Sequence, residues 1–522
     1  MRRAYIIRTE RTHPWQDMKR SSATSHCHTM TENSDLPFTS LLIDGQYYPA
    51  SSAKSFSVRN PYTNNIVGYA ASATSQDCTN ALTSAGRAFP SWEATPHSQR
   101  RDIFLKAADL VSTTRYKEKI TKAMREETAA TDSMVFMNIR RVGEQLKDAA
   151  GLVSGLKGET FASALPEGYV VVQRRAMGVI FAISPWNVPV ILTIRAVAVP
   201  IICGNTVVLK CSEKSPRSQS IVAELLKEAG LPPGVLNFVS MDRQDAPELT
   251  AEIIAHPLVR KINFTGSDGV GKIIAAEAAK YLKPCVFELG GKAPVVVLDD
   301  ADMEKAARAI ASSTVLHSGQ LCMSTERVII QRQISTILIP ALIKLLSSVK
   351  AGDPLTDREA KLSALFTEDS ARNVISMIEE ANAAGATVLL GDVKRDGAVV
   401  QPHILNGVKP GMRLWDKECF GPVIVIAVAD TLDEIVDLAN ASSYSLMAGL
   451  WTRDVNVALG VAARIRAGCT NINGPTVHVE PQRGYAGLGG ASGYGHFDVD
   501  NFTDARMVVV HPSEERAYPV VG

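Results

Sequence analysis

The chain has almost no net charge and no cysteine pattern typical of a metal or disulfide site. Its 522 residues include 55 Lys and Arg against 54 Asp and Glu, a formal net charge of +1, with no basic stripe. This balance predicts no nucleic-acid partner and no anionic membrane partner. No CxxC pair and no Cys/His zinc spacing occurs, so we expect no metal. The eight cysteines are scattered, which is typical of a reducing compartment such as the cytoplasm: Cys27, Cys78, Cys203, Cys211, Cys285, Cys322, Cys419 and Cys469.

Long apolar runs are also scarce. Residues 176–194 are uncharged and long enough to cross a bilayer, but Pro185 and Pro189 would break such a helix. The run therefore predicts a buried strand, a loop and a core helix in a soluble protein.

The first 36 residues lack the apolar segment of a secretory signal. They predict a disordered tail or a mitochondrial presequence, against which Glu10 and Asp17 count. A true start at Met30 is a further alternative.

From about residue 206 the chain alternates short β-branched runs with amphipathic helices. This alternation predicts parallel βαβ units and a doubly wound nucleotide-binding sheet. A second such series begins at Pro294, and Gly290-Gly291 is a plausible junction. The predicted strands are 206–210, 235–239, 261–265, 285–289, 294–298, 327–331, 424–428 and 449–452, and the predicted helices begin near 218, 246, 269, 302, 333, 431 and 454.

Three polar residues lie on loops or at a strand end, where a nucleophile, a general base or an oxyanion donor could act. Cys322 follows His317-Ser318-Gly319-Gln320 on a loop whose amides could lower a thiol pKa, although a buried structural cysteine is the alternative. His317 would then be either a partner of Cys322 or a residue at the helix end. Glu288 ends an apolar strand, as a desolvated general base or as a solvated strand end. Asn187 is either an oxyanion donor or a turn residue.

A strand also runs into a helix N-terminus at Gly266-Ser267, which suits a pyrophosphate. The spacing there is GxxGxG rather than the usual GxGxxG.

Together these motifs resemble the aldehyde dehydrogenase superfamily over residues 40 to 510. The resemblance is carried by PWN at 185–187, VVLK at 207–210, FTGS at 264–267, ELGGK at 288–292, GQLC at 319–322, ECFGPV at 418–423 and ASGYG at 491–495. Leu316, His317, Cys211, Leu488 and Ala491 depart from the common pattern and leave the details of the substrate pocket open.

The resemblance implies a role for each matching residue. Cys322 is the nucleophile that forms a thiohemiacetal and a thioester, Glu288 the base for hydrolysis, and Asn187 an oxyanion donor. NAD is implied rather than NADP, because Glu213 would repel a 2′-phosphate. The implied cofactor-binding residues are Trp186, Lys210, Glu213, Gly266, Ser267, Leu289, Glu418 and Phe420.

The resemblance is strongest to the salicylaldehyde and vanillin dehydrogenase branch, which suggests an aromatic or conjugated aldehyde, including a biosynthetic intermediate. Arg195 shares a predicted helix face with Ile191 and Leu192, and it would bind either a substrate anion or a protein carboxylate. Leu321 and Met323 complete the expected pocket. The alternatives are a CoA-acylating enzyme, a phosphate-substrate enzyme and a non-catalytic relative.

The implied fold is α/β, with two doubly wound parallel-sheet domains and a small β oligomerisation element. We expect the NAD-binding domain at 37–157 and 179–289 and the catalytic domain at 290–485. The oligomerisation element is expected at 158–178 and 486–515, with strands at Tyr169–Gln173 and Arg506–Val510. A homodimer or a homotetramer is implied.

Overall fold

The computed structural model of the chain describes residues 28–29, 36–478, 480, 484, 486–513 and 520. The tail expected over residues 1–36, including the alternative start at Met30, lies outside the described residues except for 28–29 and 36. In the part of the chain that the structure describes, no helix is long and apolar enough to cross a membrane.

The strands of the described residues form five sheets. They are β1 (His28–Thr29), β2 (Phe38–Thr39), β3 (Leu41–Ile43), β4 (Gln46–Tyr48), β5 (Lys54–Arg59), β6 (Ile66–Ala71), β7 (Glu159–Ala162), β8 (Tyr169–Ala176), β9 (Val179–Ile183), β10 (Thr206–Lys210), β11 (Leu236–Val239), β12 (Val259–Thr265), β13 (Cys285–Glu288), β14 (Ala293–Val297), β15 (Thr325–Gln331), β16 (Thr387–Leu390), β17 (Arg395–Asp396), β18 (Val399–Val400), β19 (His403–Asn406), β20 (Val423–Ala429), β21 (Met447–Trp451), β22 (Cys469–Ile472), β23 (Gly493–Tyr494) and β24 (Thr503–Val510).

The helices lie mostly between these strands. They are α1 (Ser75–Glu93), α2 (His97–Val111), α3 (Thr114–Thr128), α4 (Asp132–Gly151), α5 (Pro189–Ile202), α6 (Pro216–Ala229), α7 (Ala246–Ala255), α8 (Asp268–Ala279), α9 (Met303–Val315), α10 (Arg332–Ser347), α11 (Glu368–Ala383), α12 (Arg413–Asp416), α13 (Leu432–Asn440) and α14 (Val455–Ala462), with 3-10 turns at Leu152–Gly155, Leu316–Gly319 and Gly490–Ser492. The predicted elements are confirmed, with ends that shift by a few residues as helix ends usually do.

Two large sheets organise the molecule. The first has the order β23-β13-β12-β9-β10-β11-β3-β4, and its five inner strands are parallel. The second has the order β16-β19-β20-β15-β14-β21-β22 and is parallel except at the β16 edge. The predicted pair of doubly wound sheets is therefore confirmed, with antiparallel strands added at their edges.

Helices cover both faces of the first sheet, because its strands are apolar on both sides. Along β9, Ile180 and Ala182 pack into one core with α5 and α6, while Phe181 and Ile183 pack into the other with α1 and α7. This period of two is the expected geometry of a strand buried on both faces. The uncharged run 176–194 is thus a buried strand, a loop and a core helix, as predicted.

A third, three-stranded sheet has the order β24-β8-β7 and contains both strands expected in the oligomerisation element. β23 falls within the range 486–515 expected for the oligomerisation element, and it pairs with β13 of the first sheet. Gly493 makes this pairing possible: at a φ of 78°, a Cβ would lie 2.2 Å from the carbonyl oxygen of Phe287. Gly493 and Tyr494 therefore close one edge of the first sheet.

Candidate active site

Cys322 lies in a turn between the 3-10 helix Leu316–Gly319 and β15. The amide of Ser324 donates to the carbonyl of Leu321 at 2.9 Å and closes this turn. The backbone of Gly291 passes directly against it, since a Cβ on Gly291 would lie 1.9 Å from the carbonyl oxygen of Cys322. The segment that connects the two large sheets therefore contacts the Cys322 turn at Gly291, three residues after Glu288.

The Cys322 side chain is partly buried, and burial raises the pKa of its thiol to about 12. The Arg195 guanidinium and the backbone amide of Cys322 itself lower this pKa, whereas the carboxylates of Glu418 and Glu288 raise it. Cys322 is therefore a thiol at neutral pH in this structure, and its reaction as a nucleophile needs a nearby base.

Asn187 braces the same loop. It is 6% exposed, and its Nδ2 donates to the carbonyl oxygen of Gln320 at 2.9 Å. Gln320 in turn donates from Nε2 to the carbonyl of His317 at 3.0 Å. An amide nitrogen carries two hydrogens, so Asn187 has a second one for an oxygen near Cys322.

Glu288 ends β13 with only 1% of its surface exposed. Its Oε1 accepts no hydrogen bond from the residues that the structure describes. Burial raises the pKa of this carboxyl to about 7, against the opposing effect of Arg195. A carboxyl with this pKa exchanges a proton readily at neutral pH, as a general base must.

Arg195 connects two strand ends. Its Nη1 lies 3.5 Å from Oε2 of Glu288, and its Nη2 donates to Oγ1 of Thr265 at 3.1 Å. Thr265 and Glu288 are register partners on β12 and β13. Of the two alternatives for Arg195, the structure shows the contact with a protein carboxylate.

Four of the expected cofactor residues lie at the carboxyl edge of the first sheet, where α/β proteins bind nucleotides. Lys210 ends β10 and donates from Nζ to the carbonyl of Cys211 at 3.1 Å, and Glu213 follows, partly buried. Ser267 caps α8 by accepting from the amide of Val270 at 3.5 Å. Gly266 precedes this cap, so the first amides of α8 start beside it.

The other four lie around the junction of the two large sheets. Glu418 accepts at Oε1 from the amide of Gly291 at 2.8 Å, and burial, with Glu326, raises its pKa to about 8. The Trp186 ring meets the Phe420 ring edge-on at 5.9 Å. Leu289 is buried beside Glu288, and its amide donates to the carbonyl of Ser492 at 3.2 Å.

The expected substrate residues divide into two groups. Leu192 and Leu321 are 7% and 2% exposed and belong to the apolar core of the first domain. Ile191 is partly buried against that core, and Met323 packs beside Cys322 against a separate cluster. Ile191 and Met323 are therefore better placed to touch a substrate than the two leucines.

Of the two alternatives for His317, the structure shows the residue at the helix end. It lies in the 3-10 turn that directly follows α9, with a φ of 50° and 3% of its surface exposed. Its Nε2 has no hydrogen-bond partner among the described residues, and burial lowers its pKa to about 4. Its ring faces Trp186, with 6.3 Å between ring centroids. A neutral, buried ring of this kind cannot stabilise a Cys322 thiolate as an imidazolium.

The sequence reasoning missed a buried ion pair between Lys292 and Glu326. Glu326 also accepts from the amides of Cys419 at 2.9 Å and Phe420 at 3.3 Å, so it holds the loop that contains Glu418. A signal was present, because both charges lie in or next to buried β-branched strands, where a charge needs a partner. Thr265 and Phe497 were missed as well, and nothing local in the sequence indicates their contacts with Arg195.

No group of three or more His, Cys, Asp or Glu residues in the described ranges could hold a metal ion. The site is instead an assembly of a thiol, a buried carboxyl and an amide at the edges of two α/β sheets. The sequence profile of the Aldehyde dehydrogenase family matches residues 47–510.

The chain belongs to the aldehyde dehydrogenase family. Vanillin dehydrogenase of Pseudomonas fluorescens is 40% identical over 92% of this chain and 99% of its own length. Salicylaldehyde dehydrogenase of Pseudomonas putida is 36% identical over the same shares. The crystal structure of a salicylaldehyde dehydrogenase from Pseudomonas putida G7 complexed with salicylaldehyde superposes with a TM-score of 0.89 at 35% identity, covering 92% of this chain and 99% of that one. This aldehyde dehydrogenase is therefore an oxidoreductase acting on an aldehyde with a nicotinamide dinucleotide.

Proposed function

We propose that this aldehyde dehydrogenase oxidises an aromatic aldehyde to its carboxylic acid with NAD, through a thiohemiacetal and a thioester on Cys322. The observation that supports it best is the contact of Gly291 with the Cys322 turn. This contact places the Cys322 turn against the chain three residues after Glu288. The buried carboxyl of Glu288 has a pKa of about 7, and its charge raises the pKa of the Cys322 thiol. Asn187 also holds the loop before Cys322, through its hydrogen bond to the carbonyl of Gln320.

The residues at the carboxyl edge of the first sheet suit NAD. The N-terminal amides of α8 beyond Gly266 would hold the pyrophosphate, and Lys210 with Glu213 would hold the adenosine ribose. Glu418 and Phe420 would contact the nicotinamide side. When bound, the nicotinamide accepts the hydride that leaves the aldehyde carbon.

In the first half of the reaction the Cys322 thiol loses its proton to Glu288, and its sulfur forms a bond to the aldehyde carbon. The carbonyl π electrons move to the oxygen, which becomes an oxyanion. The second hydrogen of the Asn187 amide and the backbone amide of Cys322 are the donors we assign to this oxyanion. Loss of hydride from the same carbon leaves a thioester.

Between the two halves Glu288 releases the thiol proton to solvent. It then accepts a proton from water while the water oxygen forms a bond to the thioester carbon. The carbon–sulfur bond breaks, the carboxylic acid leaves, and the Cys322 sulfur takes the proton back from Glu288. Glu288 is suited to both halves, because a pKa of about 7 lets it gain and lose a proton at neutral pH. A CoA-acylating enzyme does not hydrolyse the thioester, so it would not need a base that activates water.

The aromatic substrate class is supported by the relatives, whose names specify vanillin, salicylaldehyde and benzaldehyde. Within this chain, the partly exposed Met323 offers apolar surface beside Cys322, and the partly exposed Ile191 offers it on α5. An aromatic ring gains free energy by burial against such side chains. Assays with aromatic, aliphatic and phosphorylated aldehydes, and with added CoA, test this assignment when NADH formation is followed by its absorbance.

Cys322→Ala tests the thioester mechanism. We expect turnover to fall by roughly a thousandfold or more, because the proposed thiohemiacetal and thioester both form on the Cys322 sulfur. NAD affinity, measured by calorimetry, should stay nearly unchanged. Cys419→Ala is the matched control, since Cys419 is buried at 3% exposure in the loop beside Glu418. Activity of Cys322→Ala within tenfold of wild type would refute the mechanism.

Glu288→Gln tests the role of the buried carboxyl in hydrolysis. We expect the NADH burst to slow, because Glu288 also accepts the Cys322 proton, and steady turnover to slow more, because water must still be activated after NADH has formed. The acyl adduct on Cys322 should then be visible by mass spectrometry. Glu288 would act only before NADH formation if burst and steady rates slowed equally and no adduct accumulated.

The preference for NAD is tested at Glu213. One like-charge contact with a 2′-phosphate should favour NAD by roughly ten- to a hundredfold. Glu213→Gln should narrow the ratio of kcat/KM between NAD and NADP. Equal efficiencies with both cofactors in the wild-type enzyme would contradict the assignment.

We also propose that the sheet β24-β8-β7 mediates assembly into a homodimer or homotetramer. Met507 is 64% exposed and Val508 48% exposed on β24, and such apolar strand surface favours burial against another chain. Light scattering of wild-type protein and Met507→Asp tests this: the variant should shift toward the monomer.

A further inference from the structure

The contacts of Arg195 include an ion pair, a hydrogen bond and a cation–π contact beside the reacting groups, and the proposed mechanism uses none of these. Its Nη1 lies 3.5 Å from Glu288, and its Nη2 donates to Thr265 at 3.1 Å. Its guanidinium carbon lies 5.1 Å from the centre of the Phe497 ring. The side chain is only 12% exposed. A cation held this firmly in a largely apolar site acts as a fixed charge.

We propose that Arg195 is a positioning residue that supplies the fixed positive charge for the single negative charge shared by Glu288 and Cys322. This inference rests on the proposed function. Proton transfer from the thiol to Glu288 moves a negative charge from one buried group to the other. A guanidinium anchored on Thr265 stabilises that charge at either place and does not move with it.

The charges that surround the two groups support this assignment. Burial raises the pKa of Glu288, on β13, and the positive charge of Arg195, on α5, lowers it. For Cys322, Arg195 again lowers the pKa, and Glu418 from the neighbouring loop and Glu288 raise it. Both reacting groups therefore depend on one cation, and both should shift in the same direction when it is removed.

The geometry of the pair explains why the cation leaves Glu288 reactive. The separation of 3.5 Å is at the outer limit of a hydrogen bond, and only one carboxyl oxygen is engaged. Oε1 has no hydrogen-bond partner among the described residues. A closer two-point contact would hold the carboxylate ionised and remove its ability to accept a proton.

The first test is alkylation of Cys322 by iodoacetamide in NAD-free enzyme, followed by peptide mass spectrometry. The rate at pH 8 follows the thiolate fraction, so a shift of about one pH unit in Arg195→Gln should lower it roughly tenfold. Arg195→Lys, which keeps the charge, should recover most of the rate. Arg332→Gln removes an exposed arginine from an ion pair with Asp430 and should leave the rate unchanged.

The second test is the pH profile of kcat. In Arg195→Gln the inflection attributed to Glu288 should move upward by about one unit, and Arg195→Lys should restore it. Thr265→Val keeps the charge but removes its anchor, and should move both readouts in the same direction by a smaller amount. This variant decides the question if Arg195→Gln does not fold.

Unchanged alkylation rates and an unchanged inflection in Arg195→Gln and Thr265→Val would overturn the inference. Its failure differs from failure of the proposed function. If Cys322→Ala is inactive and Glu288→Gln accumulates the acyl adduct, the thioester mechanism holds whatever Arg195 does.

Discussion

Two buried ion pairs flank the Gly290-Gly291 junction, and they differ in how completely the carboxylate is satisfied. Glu288 meets Arg195 at 3.5 Å with one oxygen, and its other oxygen has no partner among the described residues. Glu326 binds Lys292 and accepts two backbone amides as well, with both charged side chains at most 2% exposed.

The comparison shows how one region of a protein can hold a charge for chemistry and another for structure. The Glu326 carboxylate accepts from an ammonium and two backbone amides, and these contacts hold the loop that contains Glu418 in place. A carboxylate that is buried with a single distant cation has a pKa near neutrality and can exchange protons. Both carboxylates are buried, so the two sites differ in how many donors reach the carboxylate among the described residues.

The largest expected effect is on stability when the satisfied pair is broken. Glu326→Gln leaves the Lys292 ammonium buried without its counter-ion, and should lower the free energy of unfolding by about 3–5 kcal/mol. Urea denaturation measures this loss. Asp430→Asn breaks the exposed pair with Arg332 and should cost less than about 1 kcal/mol. Similar losses in both variants would remove the distinction between the two carboxylates.

The effect of Glu288→Gln on the free energy of unfolding should depend on pH. The folded pKa of about 7 lies above the ordinary value of 4.5, so protonated Glu288 stabilises the fold. That contribution is complete below about pH 4.5 and is lost as pH rises through 7. Gln does not titrate, so the variant should gain about 1–3 kcal/mol relative to wild type between pH 5 and 8. A constant difference across this range would contradict the raised pKa.

The activity of the wild-type enzyme should reflect the same group. Glu288 must be ionised to accept a proton, so kcat limited by hydrolysis should fall about tenfold per pH unit below pH 7. Stopped-flow measurement of the steady phase after the NADH burst tests this. A flat profile between pH 5.5 and 7 would assign the limiting step to another group.

The smallest expected effect concerns substrate choice at Arg195. The Arg195 guanidinium contacts Glu288. Arg195→Leu should therefore slow the oxidation of benzaldehyde and of hydroxybenzaldehyde alike, and the ratio of their kcat/KM values should change by less than about threefold. A tenfold or greater loss confined to the hydroxylated aldehyde would instead assign Arg195 to the substrate hydroxyl, as the alternative expected from the sequence requires.

Local sequence signals were sufficient for most of the architecture. One example is the strand Thr206–Lys210 and the helix after it. Their hydrophobic periodicity and the helix stop signal at Gly230 all lie within one short segment of the sequence. The motifs also placed Cys322, Glu288 and Asn187 at strand ends and loops, where the structure has them. Their roles rest on the experiments above.

Only the tertiary structure decided how these residues are paired. Arg195 and Glu288 are 93 residues apart, and Lys292 and Glu326 are 34 apart. Residue 493 closes the edge of β13 from more than 200 residues away, which the Gly-rich sequence at 486–495 did not reveal. Such contacts depend on how the parallel sheets bring strand ends together, and the pKa of each buried carboxyl depends on the donors that arrive there. A sequence therefore states which groups can titrate, while packing determines which of them does so near neutral pH.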